Sequence, residues 1–116
     1  MSGERDLSRL LAGLNPYLHA ERYSFVATSS PSLADGDFAI VREAEGMTLI
    51  RTDAAGEWAC ISLGVHSSLE AVGLTATLSA RLAEAGISAN IVAALHHDHI
   101  FVPWDRREHA LAALRG

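Results

Sequence analysis

The chain predicts an α+β fold whose second half is a small split β-α-β sheet with antiparallel neighbours. Three observations carry this. Ala59-Cys60-Ile61-Ser62-Leu63-Gly64-Val65 is an apolar, β-rich run that ends in a polar loop, His66-Ser67-Ser68. A helical stretch of about four turns follows, with Ala71, Leu74, Leu78, Leu82 and Ala85 on one stripe, and it stops at Ala85-Gly86. A second strand over 87–95 then turns at His96-His97-Asp98 into a third over 99–102.

The remaining elements follow in order. Leu7, Leu10, Leu11 and Leu14 recur at helical spacing until Asn15-Pro16 stops the run. Residues 23–28 read as a strand, and 29–37 as a loop. Residues 38–42 and 47–51 are strands joined by a Glu43-Ala44-Glu45-Gly46 hairpin turn. On the long helix, Gly73, Ala76, Ala80 and Ala83 are expected to form a small-residue flank for close packing. The strand over 87–95 is apolar on both faces, which predicts a sheet covered on both sides, by helices on one and by the first half or a second subunit on the other. Asp105 to Glu108 has capping-box spacing and starts a last helix carrying Ala110, Leu111 and Leu114. The final edge strand of such a unit is missing, so a strand from the first half is expected to cover that edge. The soft stretch 52–57 divides the chain into 1–57 and 58–116. The first half repeats the order of the second without its main helix, a degenerate duplication.

Composition narrows the function classes. With 116 residues, 49% apolar and 20% charged, the chain fits an ordinary globular domain. Its net charge of −5 and scattered basic residues argue against nucleic acid as a partner. No apolar run is long enough to span a membrane and no signal-peptide core is evident, so the expected compartment is the cytoplasm. One cysteine, Cys60, excludes an internal disulfide, and its mid-strand position predicts a buried, inert thiol.

The loop after the first strand of the second half holds the best candidate site. Ser67 and Glu70 have the spacing of an N-cap and its N3 partner, which explains them structurally. The same helix start presents free N–H groups suited to a ligand carboxylate, with His66, Ser67 and Ser68 placed to orient it. His96, His97 and His99 form a second constellation. Imidazoles bind zinc or copper, but neighbours in a hairpin diverge, so a metal site is the weaker alternative. Neither Cys60 nor the loop serines have the surroundings of a nucleophile, and no catalysis is expected. The aromatic residues Tyr17, Tyr23, Trp58 and Trp104 are too dispersed to stack bases, and the two tryptophans are expected to plug the ends of the second half or line the junction.

Val72-Gly73-Leu74-Thr75-Ala76 and Leu82-Ala83-Glu84-Ala85-Gly86-Ile87-Ser88 resemble the ACT-domain family, over roughly residues 58 to 115. With the shorter upstream half, the chain is similar to small bacterial proteins of two ACT-like repeats. The resemblance implies ferredoxin-like βαββαβ repeats, an antiparallel sheet with helices on one face, pairing through sheets, and amino-acid binding at interfaces. Carried over position by position, it implies a ligand site at His66, Ser67, Ser68, Leu69, Val72, Gly73, Ser88 and Asn90. Val72 stands where the family has proline, and Ser88 where it has asparagine. The expectation is therefore a non-catalytic, amino-acid-binding regulatory module without a cofactor, homo-oligomeric, with neither nucleic acid nor membrane as partner. The alternatives are a structural or protein-interaction module that oligomerises without ligand, and a metal binder through His96, His97 and His99.

Overall fold

Leucines at helical spacing build the first element of a computed structural model that describes residues 3–116. Helix α1 (Leu7–Ala12) starts where the Asp6 carboxylate accepts the Arg9 N–H at 3.1 Å. It buries Leu10, and Leu14 follows it into the core. Past Asn15 the chain forms β1 (Pro16–Leu18), bends, and continues as β2 (Tyr23–Thr28). A loop leads to the hairpin β3 (Asp37–Glu43) and β4 (Gly46–Thr52), where Glu43 faces Gly46 across a two-residue turn. The second half contains β5 (Trp58–Leu63), α2 (Leu74–Glu84), β6 (Asn90–Ala93) and β7 (Asp98–Pro103), then a 3-10 turn (Trp104–Arg106) and α3 (Arg107–Leu114).

All strands join one antiparallel sheet in the order β3-β4-β2-β5-β7-β6. Each half arranges its strands alike: β4 lies between β2 and β3, and β7 lies between β5 and β6. Strand β1 supplies the edge that the second half lacks, pairing Pro16 with Leu63 and Leu18 with Ile61. A first-half strand thus covers that edge, as expected from the missing final strand.

The helices pack on one face. Ala59, Ile61, Leu63, Ile100 and Val102 of the sheet meet Leu10, Leu74, Leu78, Leu82, Ala110 and Leu114 in the larger core. The other face forms a second core around Tyr23, Ile50, Cys60 and Phe101. There the Phe38 ring lies 5.3 Å from that of Phe101, between β3 and β7. In a flat sheet these strands stand about 19 Å apart, so the sheet must curl until its first half closes over its second. A register shift between Asp37 and Ala39 lets Phe38 and Ala39 both face inward. First-half residues therefore cover the face opposite the helices within one chain, and Val92 packs there.

Several local expectations are corrected. Helix α2 begins at Leu74, seven residues beyond Ser67, with Gly73 at φ +98° as its cap and no side-chain cap bond. Neither Ser67 and Glu70 nor Asp105 and Glu108 form a capping box, since α3 is preceded by the 3-10 turn. Ala76, Ala80 and Ala83 face solvent instead of the sheet. Strand β6 spans four residues, because Ile87 is drawn into the helix end by its N–H bond to the Leu82 carbonyl. Trp58 packs into the second core and edge-on against Phe25 of β2 at 5.7 Å, lining the junction of the halves, one of its two expected places. Helix α1 ends at Ala12 with Gly13 as its cap, before Asn15-Pro16, and Pro16 instead opens the unexpected strand at 16–18.

Candidate functional site

The loop between β5 and α2 is braced from two sides. Residue Glu4 runs alongside it in a parallel bridge to Ser67, its N–H donating to the His66 carbonyl at 2.9 Å. The Ser68 N–H donates back to the Glu4 carbonyl at 2.8 Å. This contact requires Gly3, because a Cβ there would stand 2.7 Å from the His66 oxygen. On the other side, the buried Ser67 hydroxyl donates to the buried Asp98 carboxylate at 3.2 Å. The Ser68 hydroxyl accepts the Glu70 N–H at 3.1 Å and shapes the turn that follows.

The loop bounds two small hollows. One of about 70 Å³ lies between Ser67, Ser68, Leu69, Leu74, Ala93 and Asp98. The other, about 150 Å³, lies between Gly3, His66, Ser67, Leu69, Glu70 and Leu95. Of the residues lining them, Leu69 and Leu95 are 66% and 62% exposed. Both hollows fall below the roughly 300–1,000 Å³ of an enclosing small-molecule site.

The structure gathers His66, Ser67, Ser68 and Leu69 at these hollows, with Val72 and Gly73 leading into α2. It does not bring Ser88 and Asn90 to them. Asn90 pairs with Phe101 and so shares the inner face, whereas Ala93 and Asp98 pair on the helix face with Ser67. Ser88 is exposed before β6.

The histidine run also separates. His96 is exposed, with its ring 5.8 Å from that of His66. His97 Nδ1 lies 3.3 Å from the Val65 carbonyl. His99 turns to the inner face. Among the described residues, no three metal-ligating side chains converge.

His99 instead belongs to a cluster that sequence reasoning missed. Its Nδ1 is 2.7 Å from the Ser62 hydroxyl, and the same hydroxyl is 2.7 Å from His19 Nε2. A serine has one proton, so it donates to one imidazole and accepts from the other. The ring of Phe38 stands 5.0 Å from His99, and that of Tyr17 stands 4.9 Å from His19. Burial above all, then the neighbouring charges of His19 and His97, lowers the His99 pKa from the ordinary 6.5, against the opposing pull of Asp98. Alternation in 60–62 and 99–101 puts Ser62 and His99 on the same face as Cys60 and Phe101. Only the strand register, which the sequence does not display, brings them into contact. Cys60 is fully buried, and burial raises its thiol pKa to about 12, against a lesser lowering by Ser62.

A curled antiparallel sheet with helices on one face and a braced loop before the main helix define a mixed α/β module. Two ACT-domain family models match the chain, one over residues 54–116 and the other over residues 2–62. The chain belongs to the ACT-domain family. Among solved structures, it is 40% identical to a Vibrio cholerae protein of unknown function described as a possible transport protein, over 90% of each chain, with a TM-score of 0.74. An Agrobacterium tumefaciens protein, Atu0741, shares the fold at 17% identity and a TM-score of 0.66, over 87% of this chain and 86% of that one. No curated protein matches. ACT domains are in general regulatory modules that bind small molecules. No helix among the described residues is long and apolar enough to cross a membrane.

Proposed function

We propose that the protein is a non-catalytic regulatory module that binds a free amino acid at the β5–α2 loop, where a second copy of the chain closes over the ligand. One observation carries this reading: the loop presents polar groups in hollows too shallow to enclose a ligand, rimmed by the exposed Leu69 and Leu95. Burying that rim against a second copy removes apolar surface from water and completes the walls. The ligand carboxylate would meet the loop near His66, Ser68 and Gly73. The effect on assembly follows from linkage, because a ligand that bridges two copies favours the paired state by its difference in affinity.

The reading extends to the organisation of the chain. The two halves are ACT-like repeats divided near residue 57, the second a ferredoxin-like unit completed by β1 and the first lacking its helix. The like strand orders and the two family matches, which overlap at residues 54–62, support this. With a lone reduced thiol, such a module suits the cytoplasm.

Calorimetry with each of the twenty amino acids at millimolar concentration, paired with light scattering, tests the proposal. A saturable heat accompanied by dimer formation is expected. His66→Ala should weaken that binding and leave the ligand-free melting temperature nearly unchanged, because its side chain makes no hydrogen bond among the described residues. If no amino acid gives heat while the chain still dimerises, the protein is an interaction module without this ligand.

A further inference from the structure

At the opposite end of β5 from the loop, the bend between β1 and β2 faces the connection between β4 and β5. Ala20, Glu21, Arg22, Thr52, Asp53 and Trp104 line a cleft there of about 440 Å³. Arg22 and Trp104 also border a second, of about 510 Å³, with Glu57 and Trp58. Both have the volume of ordinary small-molecule sites, which the hollows beside His66 lack.

The charges in the first cleft are arranged unusually. The Asp53 N–H donates to the Arg22 carbonyl at 2.9 Å, so the two residues are tied backbone to backbone. Their side chains nonetheless form no ion pair; the ion pair found among the described residues joins Arg9 to Glu4. Each charge is held by neutral partners instead. Arg22 Nη1 donates to the Gly56 carbonyl at 3.2 Å, and its guanidinium stands 4.5 Å from the centre of the Trp104 ring, which the Arg107 guanidinium also approaches at 3.9 Å. Asp53 accepts the Ala55 N–H at 2.9 Å and the Ser24 hydroxyl at 2.8 Å. Those two bonds, the Ala55 one foremost, hold its carboxyl below the usual range, so it stays ionised. Among the described residues, one of the five guanidinium N–H donors of Arg22 is engaged, and the Asp53 oxygens retain lone pairs.

We propose that this cleft is a second ligand site, within a single chain, for a small zwitterion whose carboxylate meets Arg22 and whose ammonium meets Asp53. The side chain of the ligand lies along Trp104. A plain anion would face Glu21 and Asp53, and a plain cation would face Arg22, so neither satisfies both walls. Because the two charges are fixed apart before binding, little ordering opposes association. The site shares no residue with the β5–α2 loop and does not depend on it.

Calorimetry on the full chain with L-leucine, N-acetyl-L-leucine and isoamylamine at millimolar concentration tests this. The three share an alkyl group and carry both charges, the carboxylate alone and the ammonium alone. Leucine should give a saturable heat, with each analogue bound at least roughly tenfold more weakly through loss of one charge-assisted contact. Arg22→Gln and Asp53→Asn should each weaken leucine by a similar factor. Absence of a saturable leucine heat, analogues that bind as tightly as leucine, or leucine binding unaltered in both variants would each overturn the proposal. If a variant does not fold, the analogue series on His66→Ala, in which the loop site is weakened, decides: a leucine-selective heat kept there supports the cleft, and its loss overturns it. A heat lost in His66→Ala but kept in Arg22→Gln overturns this inference while leaving the loop site standing.

Discussion

At the scale of single residues, Ser67 shows how one side chain can satisfy two different patterns. Its spacing to Glu70 fits a helix cap, yet its hydroxyl is buried against Asp98 thirty-one positions away. Ser67→Ala should cost about 1–3 kcal/mol, because it strips a donor from a buried carboxylate. The cost should couple to Asp98→Ala in a double-mutant cycle read by urea denaturation, and additive losses would exclude the contact. His99 supplies a pH effect with a definite sign. Its pKa is lowered in the folded chain, so the unfolded chain binds a proton more readily. The stability it contributes is present above 6.5 and is lost as pH falls below that value toward the folded pKa. Urea midpoints should therefore drop on the acid side, and His99→Gln should flatten that slope. The residues of the loop could be read from the sequence, since polar side chains between a strand and a helix announce themselves. The partners of Ser67, His19 and His99 could not, because each contact spans more than thirty positions and depends on register.

Element by element, the strands were the more legible. β-rich composition placed β2, and the acidic turn before Gly46 placed the β3–β4 hairpin, because both signals are local. Helix starts were less so. The residues before α2 have helical composition, but Glu4 pairs with the loop at Ser67 and Asp98 anchors it, and these tertiary bonds outweigh the capping preference. The chain enters α2 only once Gly73 adopts a left-handed conformation beside Leu7. Gly73→Ala should cost about 1–2 kcal/mol from that conformation alone, read as a lower melting temperature. Gly56 is constrained differently. A Cβ there would stand 2.4 Å from the Tyr23 carbonyl oxygen, backbone that cannot yield without disturbing the β2–β5 seam. Gly56→Ala should destabilise more than Gly46→Ala, where a Cβ has nothing within 4 Å to meet, though Gly46 carries its own strain at φ +142°. Equal losses in the two variants would deny the close approach.

On the scale of the whole molecule, curling makes two halves into one structure. The inner core buries Cys60 and Tyr23, and burial raises both pKa values to about 12. Each therefore stays protonated in the folded chain where the unfolded chain ionises, from about 9 for the thiol and about 10 for the phenol. Stability should fall between those values and about 12, and Cys60→Ala should remove the earlier part of the fall in a pH series of denaturant midpoints. Disulfide reagents should leave Cys60 unmodified in the native protein and modify it on unfolding. How the sheet closes was only half legible: two apolar faces on one strand call for two coverings, but no local signal says that the second comes from the same chain. The placement of β1 has a further consequence, for synthesis. Strand β1 leaves the ribosome before its partner β5, which follows more than forty residues later, and before its packing helix α3, which follows later still. Strand β1 and helix α3 are thus stitched into the same unit, so the second half cannot finish folding around a nascent chain that has lost residues 16–18. Folding of this unit is delayed until α3 is made, and its rate is governed by the closure of that long loop.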